Sequence, residues 1–90
     1  MKLADTVALM NSEDYKDRFV AEYLQTKTRY EKLKDFNTRI EAAQLTNTKE
    51  PTHDCPLSLL REQQRHMGEY LHVLEVRAKI EGVPLEAFLN

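Results

Sequence analysis

Apolar side chains recur at alternating intervals of three and four residues in two long parts of the chain, as they do on one face of an α-helix. The first row comprises Phe19, Tyr23, Thr26, Tyr30, Leu33, Asn37 and Ile40, flanked by Val20, Leu24 and Phe36. The second row comprises Leu57, Leu60, Met67, Leu71, Leu74 and Ala78, with Gln64 as its one polar interruption. This pattern predicts two amphipathic helices.

Capping and turn residues set the limits of the first helix. Asn11 or Ser12 is a suitable N-cap, and no glycine or proline follows before residue 44. A helix over about residues 12–44 has a length of roughly 50 Å. Residues 45–55 have turn composition and no hydrophobic period, which predicts a connecting loop.

The second helix is predicted over about residues 56–81. Asp54 or Cys55 is the expected N-cap, and Pro56 suits the first turn because its missing N–H costs nothing there. Gly82 suits a left-handed C-cap, and Pro84 follows as a stop signal. Residues 84–89 are predicted to form a short C-terminal turn. The apolar residues of both termini are available to dock on a neighbouring surface.

The second helix carries another apolar row, and an antiparallel hairpin cannot bury it between its own two helices. This outer row comprises Leu59, Tyr70, Val73 and Ile80. A second copy of the chain is the most economical cover. We therefore expect one all-α domain over residues 1–90, a long antiparallel helical hairpin with short terminal helical segments, assembling as a homo-oligomeric helical bundle. The pattern leaves the subunit number open.

Composition limits the partners of the chain. Charged residues make up 31% of it, and 13 basic against 15 acidic residues give a formal net charge of -2. Nonspecific binding to nucleic acid or to a membrane surface needs a basic excess, so neither is expected. The N-terminal segment is too short and too polar for a signal peptide, and the single cysteine, Cys55, is typical of a reduced cytosol. We expect a location in the cytoplasm.

Catalytic and metal-binding patterns are weak. His66 and His72 are six residues apart and lie on different helix faces, whereas one metal ion is chelated by histidines four apart. The chain has no glycine-rich phosphate loop and no pattern that pairs a nucleophile with a base. The sequence therefore predicts a protein that is not an enzyme and needs neither a metal nor a cofactor.

Basic and aromatic residues interleave on the first helix. The basic members are Lys27, Arg29, Lys32, Lys34 and Arg39, and the aromatic members are Tyr23, Tyr30 and Phe36. If the hairpin closes near residues 44 and 57, Arg61 lies level with Ile40 and Arg65 lies level with Phe36. Arg61 and Arg65 are four residues apart and share one helix face, so they and Arg39 can gather near the loop end.

These side chains are suited to binding a small nucleotide. Guanidinium and ammonium groups bind phosphate, and tyrosine rings stack on a base. We assign the phosphates to Arg61, Arg65 and Lys27, and the base to Tyr23 and Tyr30. Arg18 and Tyr15 are the candidates if the site lies nearer the other end. Alternatively, the charges form salt bridges on a solvated surface, such as Lys27 with Glu31, and the tyrosines belong to the core.

Two runs of residues carry a resemblance to a known family. The first is Asp14-Tyr15-Lys16-Asp17-Arg18-Phe19, followed by Glu22-Tyr23, Lys27 and Arg29-Tyr30-Glu31-Lys32-Leu33. The second is Cys55-Pro56, Leu59-Leu60, Gln64, Met67, Tyr70-Leu71, Leu74-Glu75 and Arg77-Ala78. Together they resemble small phage and prophage helical-hairpin proteins related to a crAss-like phage protein. More distantly, this architecture is similar to that of the phage sponges that oppose CBASS and Thoeris immunity.

Three functions of different classes follow from these observations. The resemblance implies a phage-encoded sponge that binds an anionic nucleotide-derived immune signal, of cyclic oligonucleotide or cyclic ADP-ribose type, at subunit interfaces. A helical adaptor or inhibitor would instead bind a protein through the outer row. A virion or scaffold component would form larger polymers.

Overall fold

The computed structural model describes residues 3–89 and shows a long helical hairpin with short helical segments at both ends. The elements are a 3-10 helix over Leu3–Thr6, α1 over Val7–Met10, α2 over Tyr15–Thr46, α3 over Leu57–Glu81 and a 3-10 helix over Leu85–Phe88. The described residues contain no β-strand, so the predicted all-α class is confirmed. The molecule measures 49 × 25 × 22 Å, which agrees with the length expected for the first helix.

Asp14 caps α2, rather than Asn11 or Ser12. Its side chain accepts a hydrogen bond of 2.9 Å from the backbone N–H of Lys16. Ser12 supports this cap from outside the helix, because its hydroxyl accepts from the Asp14 N–H and donates to the Asp17 carboxylate. The helix therefore begins at Tyr15, three residues later than predicted.

The loop between the long helices is shorter than the sequence indicated. Asn47 takes a left-handed conformation with φ of 56°. Its backbone N–H donates to the Gln44 carbonyl and that of Thr48 to the Ala43 carbonyl, which closes the last turn of α2 at Thr46. Leu45, expected in the loop, lies in the helix with its side chain exposed. Pro56, rather than Asp54 or Cys55, is the N-cap of α3, and no side chain caps this helix.

The end of α3 has the stop signals that the sequence predicted. Gly82 takes a left-handed conformation with φ of 70°, which a residue with a side chain rarely adopts. The N–H of Val83 donates to the carbonyl of Ala78 and closes the last turn. Pro84 follows, and the chain turns back over the hairpin.

The hydrophobic core lies in the half of the hairpin that faces the chain termini. Its buried members are Phe19, Val20, Tyr23, Leu24, Leu71, Leu74, Ala78, Val83 and Leu85. Toward the loop, Ile40 and Ala43 are buried, whereas Leu57, Leu60 and Met67 are only half-buried. The loop half thus consists of two helices with little else covering them.

Both terminal segments pack on their own hairpin. Leu9, Phe88 and Leu89 contact the core cluster, and Gln25 donates a hydrogen bond of 2.8 Å to the buried hydroxyl of Thr6. The sequence left the apolar residues of these segments available for a neighbouring surface, but Leu9, Phe88 and Leu89 pack on the core of their own protomer. Val7 and Met10 stay 52% and 46% exposed.

The outer row of α3 stays uncovered. Leu59 and Val73 are each 53% exposed, Tyr70 is 44% exposed and Ile80 is 79% exposed. The terminal segments therefore pack on the core cluster but leave this outer row uncovered. Association of copies through this row stays a prediction. No helix in the described part of the chain is long and apolar enough to cross a membrane.

Candidate functional site

A polar cleft of about 280 Å³ lies between α2 and α3 in the loop half of the hairpin. It is lined by Tyr30, Asn37, Thr38, Glu41, Arg61, Gln64 and Arg65. We call it the Arg61–Arg65 cleft. It brings together three of the seven side chains that the sequence nominated for a nucleotide, namely Arg61, Arg65 and Tyr30.

Both guanidinium groups of the cleft are held by carboxylates. Arg61 Nη2 lies 2.6 Å from Glu41 Oε2 on the other helix, and Arg65 Nη1 lies 2.7 Å from Glu69 Oε1 one turn further along α3. All four side chains are about half exposed, between 47% and 61%. Exposed ion pairs of this kind contribute little to stability, so an anionic ligand can displace the carboxylates at small cost.

Tyr30 owes its position in the cleft to a glycine on the facing helix. A Cβ atom built on Gly68 would lie 3.2 Å from Tyr30 Cε1, tighter than an ordinary van der Waals contact. Glycine in a helix interior is destabilising relative to alanine by roughly 1 kcal/mol, so its presence needs a packing reason. Here it lets the half-buried Tyr30 ring lie flush against α3 beside the two arginines.

Amide side chains form the base of the cleft. Asn37 is 2% exposed and donates to the Leu60 carbonyl over 3.2 Å and to Gln64 Oε1 over 3.0 Å. Its own Oδ1 is buried and has no hydrogen-bond partner among the described residues. Thr38 donates its hydroxyl hydrogen to the Lys34 carbonyl over 2.8 Å.

Lys27 does not join the two arginines. It lines a separate, more apolar depression of about 310 Å³, together with Leu24, Thr28, Glu31, Lys32, Phe88 and Leu89. The hairpin register explains this separation, because Lys27 is level with about residue 74, and thirteen residues of helix beyond Arg61 correspond to about 20 Å. Lys27 Nζ lies 3.8 Å from Glu31 Oε1, the salt bridge that the alternative interpretation predicted.

Tyr23 belongs to the core and offers no ring face to a base. It is 2% exposed, and its phenol donates a hydrogen bond of 2.6 Å to Glu75 Oε2. Burial and this hydrogen bond to a carboxylate both raise the pKa of Tyr23 well above its usual value. Its assignment to stacking on a base is therefore wrong. Tyr23 is seven residues from Tyr30 and so lies on the same side of α2, but its ring is enclosed between the two helices.

Tyr15 and Arg18, the candidates for the other end, are held in separate local contacts. The Tyr15 phenol donates to Glu81 over 3.2 Å, and Arg18 donates to the Ser12 carbonyl over 2.7 Å. Arg77 lies over the ring of Phe19 and pairs with Glu81, which lowers the pKa of that carboxyl. These contacts fasten the start of α2 to the end of α3.

Arg39 also stays outside the Arg61–Arg65 cleft. Its guanidinium lies 3.2 Å from Asp35 and 5.6 Å from the centre of the Phe36 ring. The sequence placed it near the loop end together with Arg61 and Arg65, but it projects from a different side of α2. A residue's height along a hairpin does not determine its direction around the helix axis.

Four cleft residues were not nominated from the sequence: Asn37, Thr38, Glu41 and Gln64. Asn37 and Gln64 are polar residues within the two apolar rows. Polar residues at such positions indicate a hydrogen bond between the two helices, and these two side chains form one. Gly68, which shapes the cleft without lining it, was detectable as an isolated glycine inside a helical pattern. Glu41 carried no such signal, since acidic residues are common on solvated helices.

Comparison with known proteins identifies a family. A family model named Sequestin matches residues 13–80, which span α2, the loop and nearly all of α3. No curated protein and no solved structure matches the chain. The family name suggests sequestration, which fits the resemblance to sponge proteins, whereas the likeness to crAss-like phage proteins stays a prediction. The chain belongs to the Sequestin family.

Proposed function

We propose that this chain is a noncatalytic sponge that sequesters an anionic nucleotide-derived immune signal, of cyclic oligonucleotide or cyclic ADP-ribose type. A phage would produce it in the host bacterial cytoplasm to inhibit antiphage defence. The observation that carries the proposal is the convergence of Arg61 and Arg65 from α3 with Tyr30 from α2 in one polar cleft. Membership of a family named for sequestration supports it.

The two arginines supply phosphate recognition. They lie one helical turn apart on α3, and each guanidinium presents a planar set of N–H donors that matches phosphate oxygens. Hydrogen bonds to charged groups contribute roughly 1.5 to 3 kcal/mol each. In the proposed complex, phosphate oxygens replace the carboxylates of Glu41 and Glu69, and the base lies beside the Tyr30 ring.

The cleft of one protomer is too small to enclose such a ligand. Pockets for drug-sized ligands have volumes of about 300 to 1,000 Å³, and this open cleft lies just below that range. Arg65, Glu69 and Val73 are spaced four residues apart, so one ridge of α3 leads from the cleft to the middle of the exposed outer row. A second copy docked on the outer row would therefore border the cleft and help to enclose the ligand.

We propose binding without turnover. The cleft is lined by arginine, tyrosine, amide, threonine and glutamate side chains, and its aliphatic hydroxyl, that of Thr38, donates to a backbone carbonyl. The carboxylate that lines the cleft, that of Glu41, is held by Arg61. This arrangement favours retention of an anion over attack on it.

Isothermal titration calorimetry with a panel of cyclic mononucleotides, cyclic dinucleotides and cyclic ADP-ribose isomers tests the proposal. We expect submicromolar binding of at least one member and its intact recovery after heat denaturation, identified by mass spectrometry. The double variant Arg61→Ala, Arg65→Ala should lose binding. The matched control, Arg29→Ala with Arg39→Ala, removes the same charge away from the cleft and should bind normally. Failure of the whole panel to bind, or equal binding by both double variants, would contradict the proposal.

The exposed outer row favours a second candidate, an adaptor or inhibitor that binds a host or phage protein. Leu59, Val73 and Ile80 lie at multiples of seven residues, which is the spacing of an apolar face that fits a groove or another helix. Mass spectrometry of the protein purified from cells that express candidate cyclases separates the two functions. A nucleotide released by heat supports the sponge, whereas a stoichiometric polypeptide supports the adaptor.

A further inference from the structure

We infer that Asn37 recognises the base of the bound nucleotide by accepting a hydrogen bond from an exocyclic purine amino group. This inference rests on the proposed function and names the chemical group that the Arg61–Arg65 cleft selects. Phosphate contacts alone hold any anionic nucleotide. A buried amide between the two arginines and Tyr30 adds a requirement for a donor on the base.

The hydrogen bonds of Asn37 leave one acceptor unused. An amide group has two N–H donors, and both are engaged, one by the Leu60 carbonyl and one by Gln64 Oε1. The Leu60 carbonyl can only accept, so it fixes the orientation of the amide with Nδ2 toward α3. Oδ1 is therefore the free atom, and it is buried without a partner in the described part of the chain.

Three side chains with donor groups in the cleft are engaged elsewhere. Thr38 donates to the Lys34 carbonyl, Arg61 is paired with Glu41, and Arg65 is paired with Glu69. Buried acceptors in folded proteins nearly always have a partner, because leaving one unsatisfied is destabilising. Asn37 lines the cleft, so a ligand that displaces the side chains covering Oδ1 would bring the missing donor.

The free group is an acceptor, which defines the ligand chemistry. A purine amino group donates to it, whereas a carbonyl oxygen or an unprotonated ring nitrogen at the same place would repel it. The complex therefore combines phosphates at Arg61 and Arg65, a ring beside Tyr30 and an amino group at Asn37. This combination fits cyclic nucleotides of adenine or guanine and disfavours analogues without the amino group.

Calorimetry on two matched ligand pairs tests the inference. The first pair is cyclic diadenylate and its analogue with hydrogen in place of each 6-amino group, and the second is cyclic diguanylate and its hypoxanthine analogue. For the pair whose amino form binds the wild type, we expect the deaminated analogue to bind roughly tenfold more weakly or worse. In Asn37→Leu the two forms should bind alike. Asn37→Ala is the second variant should the leucine side chain prevent folding, as judged by far-ultraviolet circular dichroism.

Gln63→Leu is the control variant, because it removes an exposed amide of α3 that does not line the cleft, while Asn37 is kept. It should preserve the preference for the amino form. Equal binding of the two forms by the wild type, or a preference that persists in both Asn37 variants, overturns the inference and leaves the sponge intact. Such a result would show that the base does not donate to Oδ1. If only a cyclic ADP-ribose isomer binds, its analogue with hydrogen in place of the 6-amino group supplies the matched pair, and binding of none of these ligands overturns the proposed function together with this inference.

Discussion

Arg61 and Glu41 join the two long helices across the candidate cleft, with Nη2 of one 2.6 Å from Oε2 of the other. The pair places a negative charge beside the group that we assign to phosphate. Glu41 therefore stabilises the orientation of Arg61 in the free protein and opposes an anion in the complex. The balance between these effects is measurable, because both side chains are about half exposed and the pair itself contributes little to folding.

Replacement of Glu41 by glutamine should strengthen nucleotide binding. The variant Glu41→Gln removes the competing carboxylate and its repulsion of phosphate, and we expect a roughly two- to fivefold lower Kd at low salt. Asp35→Asn is the matched control, since it changes the net charge equally at a pair that involves Arg39 and lies outside the cleft. Calorimetry at two salt concentrations checks the result. Equal effects of both variants would indicate that the net charge of the protein, rather than a local contact, changes the Kd.

Addition of a methyl group at Gly68 should weaken binding without weakening the fold. Alanine is the better helix former by about 1 kcal/mol, but its Cβ would press on the ring of Tyr30 at 3.2 Å. In Gly68→Ala we expect a melting temperature at or above that of the wild type and a severalfold higher Kd. Gln63→Ala, at an exposed position of α3, controls for helix propensity. Unchanged affinity in Gly68→Ala would show that the position of Tyr30 is not part of recognition.

Because of Tyr23, the free energy of unfolding should fall at alkaline pH. Burial and the hydrogen bond to Glu75 raise the pKa of Tyr23, so the folded protein holds the phenol proton more tightly than the unfolded chain does. The stabilisation is fully present below about pH 10, the usual pKa of tyrosine, and declines as the pH rises above that value.

Replacement by phenylalanine tests this role. Tyr23→Phe should lower the free energy of unfolding by about 1.5 kcal/mol at neutral pH and flatten its decline above pH 10, as measured by urea denaturation. Tyr15→Phe is the control, because that phenol is exposed and its bond to Glu81 is longer. It should have the smaller effect. If the free energy of unfolding of Tyr23→Phe falls above pH 10 as steeply as that of the wild type, another group is responsible for the alkaline titration.

A charge in the outer row should dissociate the proposed oligomer. Val73 lies at the middle of that row and is 53% exposed in the protomer, so Val73→Glu costs the monomer little and would bury a carboxylate in the interface. Leu45→Glu introduces the same charge at a residue that is 81% exposed and lies outside the row. Size-exclusion chromatography with light scattering should show protomers only for Val73→Glu. Oligomers that survive this substitution would place the interface elsewhere.

The hairpin was predictable because periodicity and stop signals act locally. The two apolar rows predicted the helices, and Gly82 followed by Pro84 predicted the end of α3. The register was also correct near the loop, where Arg61 was expected level with Ile40 and pairs with its neighbour Glu41. The N-cap of α2 was missed because Asn11, Ser12 and Asp14 compete within four residues, and the hydrogen-bond geometry of the folded chain decides among them.

The candidate site was predictable only in part. Arg61 and Arg65 line one cleft near the loop, where helix spacing and hairpin register predicted them, and Tyr30 lines it with them. Lys27 was misplaced because the same register, extended from Arg61, already puts it about 20 Å further along the rod. The docking of the termini lay beyond sequence reasoning, because short segments such as Val83–Leu89 contain too few residues to show a period.

Sedimentation velocity with absorbance detection in the adenine band tests the central claim most directly. The chain contains no tryptophan and four tyrosines, so a bound cyclic nucleotide dominates the absorbance at that wavelength. We predict that a binding member of the nucleotide panel sediments with a particle larger than the 10.6 kDa protomer at micromolar concentration. Nucleotide that stays in the supernatant while the protein sediments as a folded protomer would contradict the account.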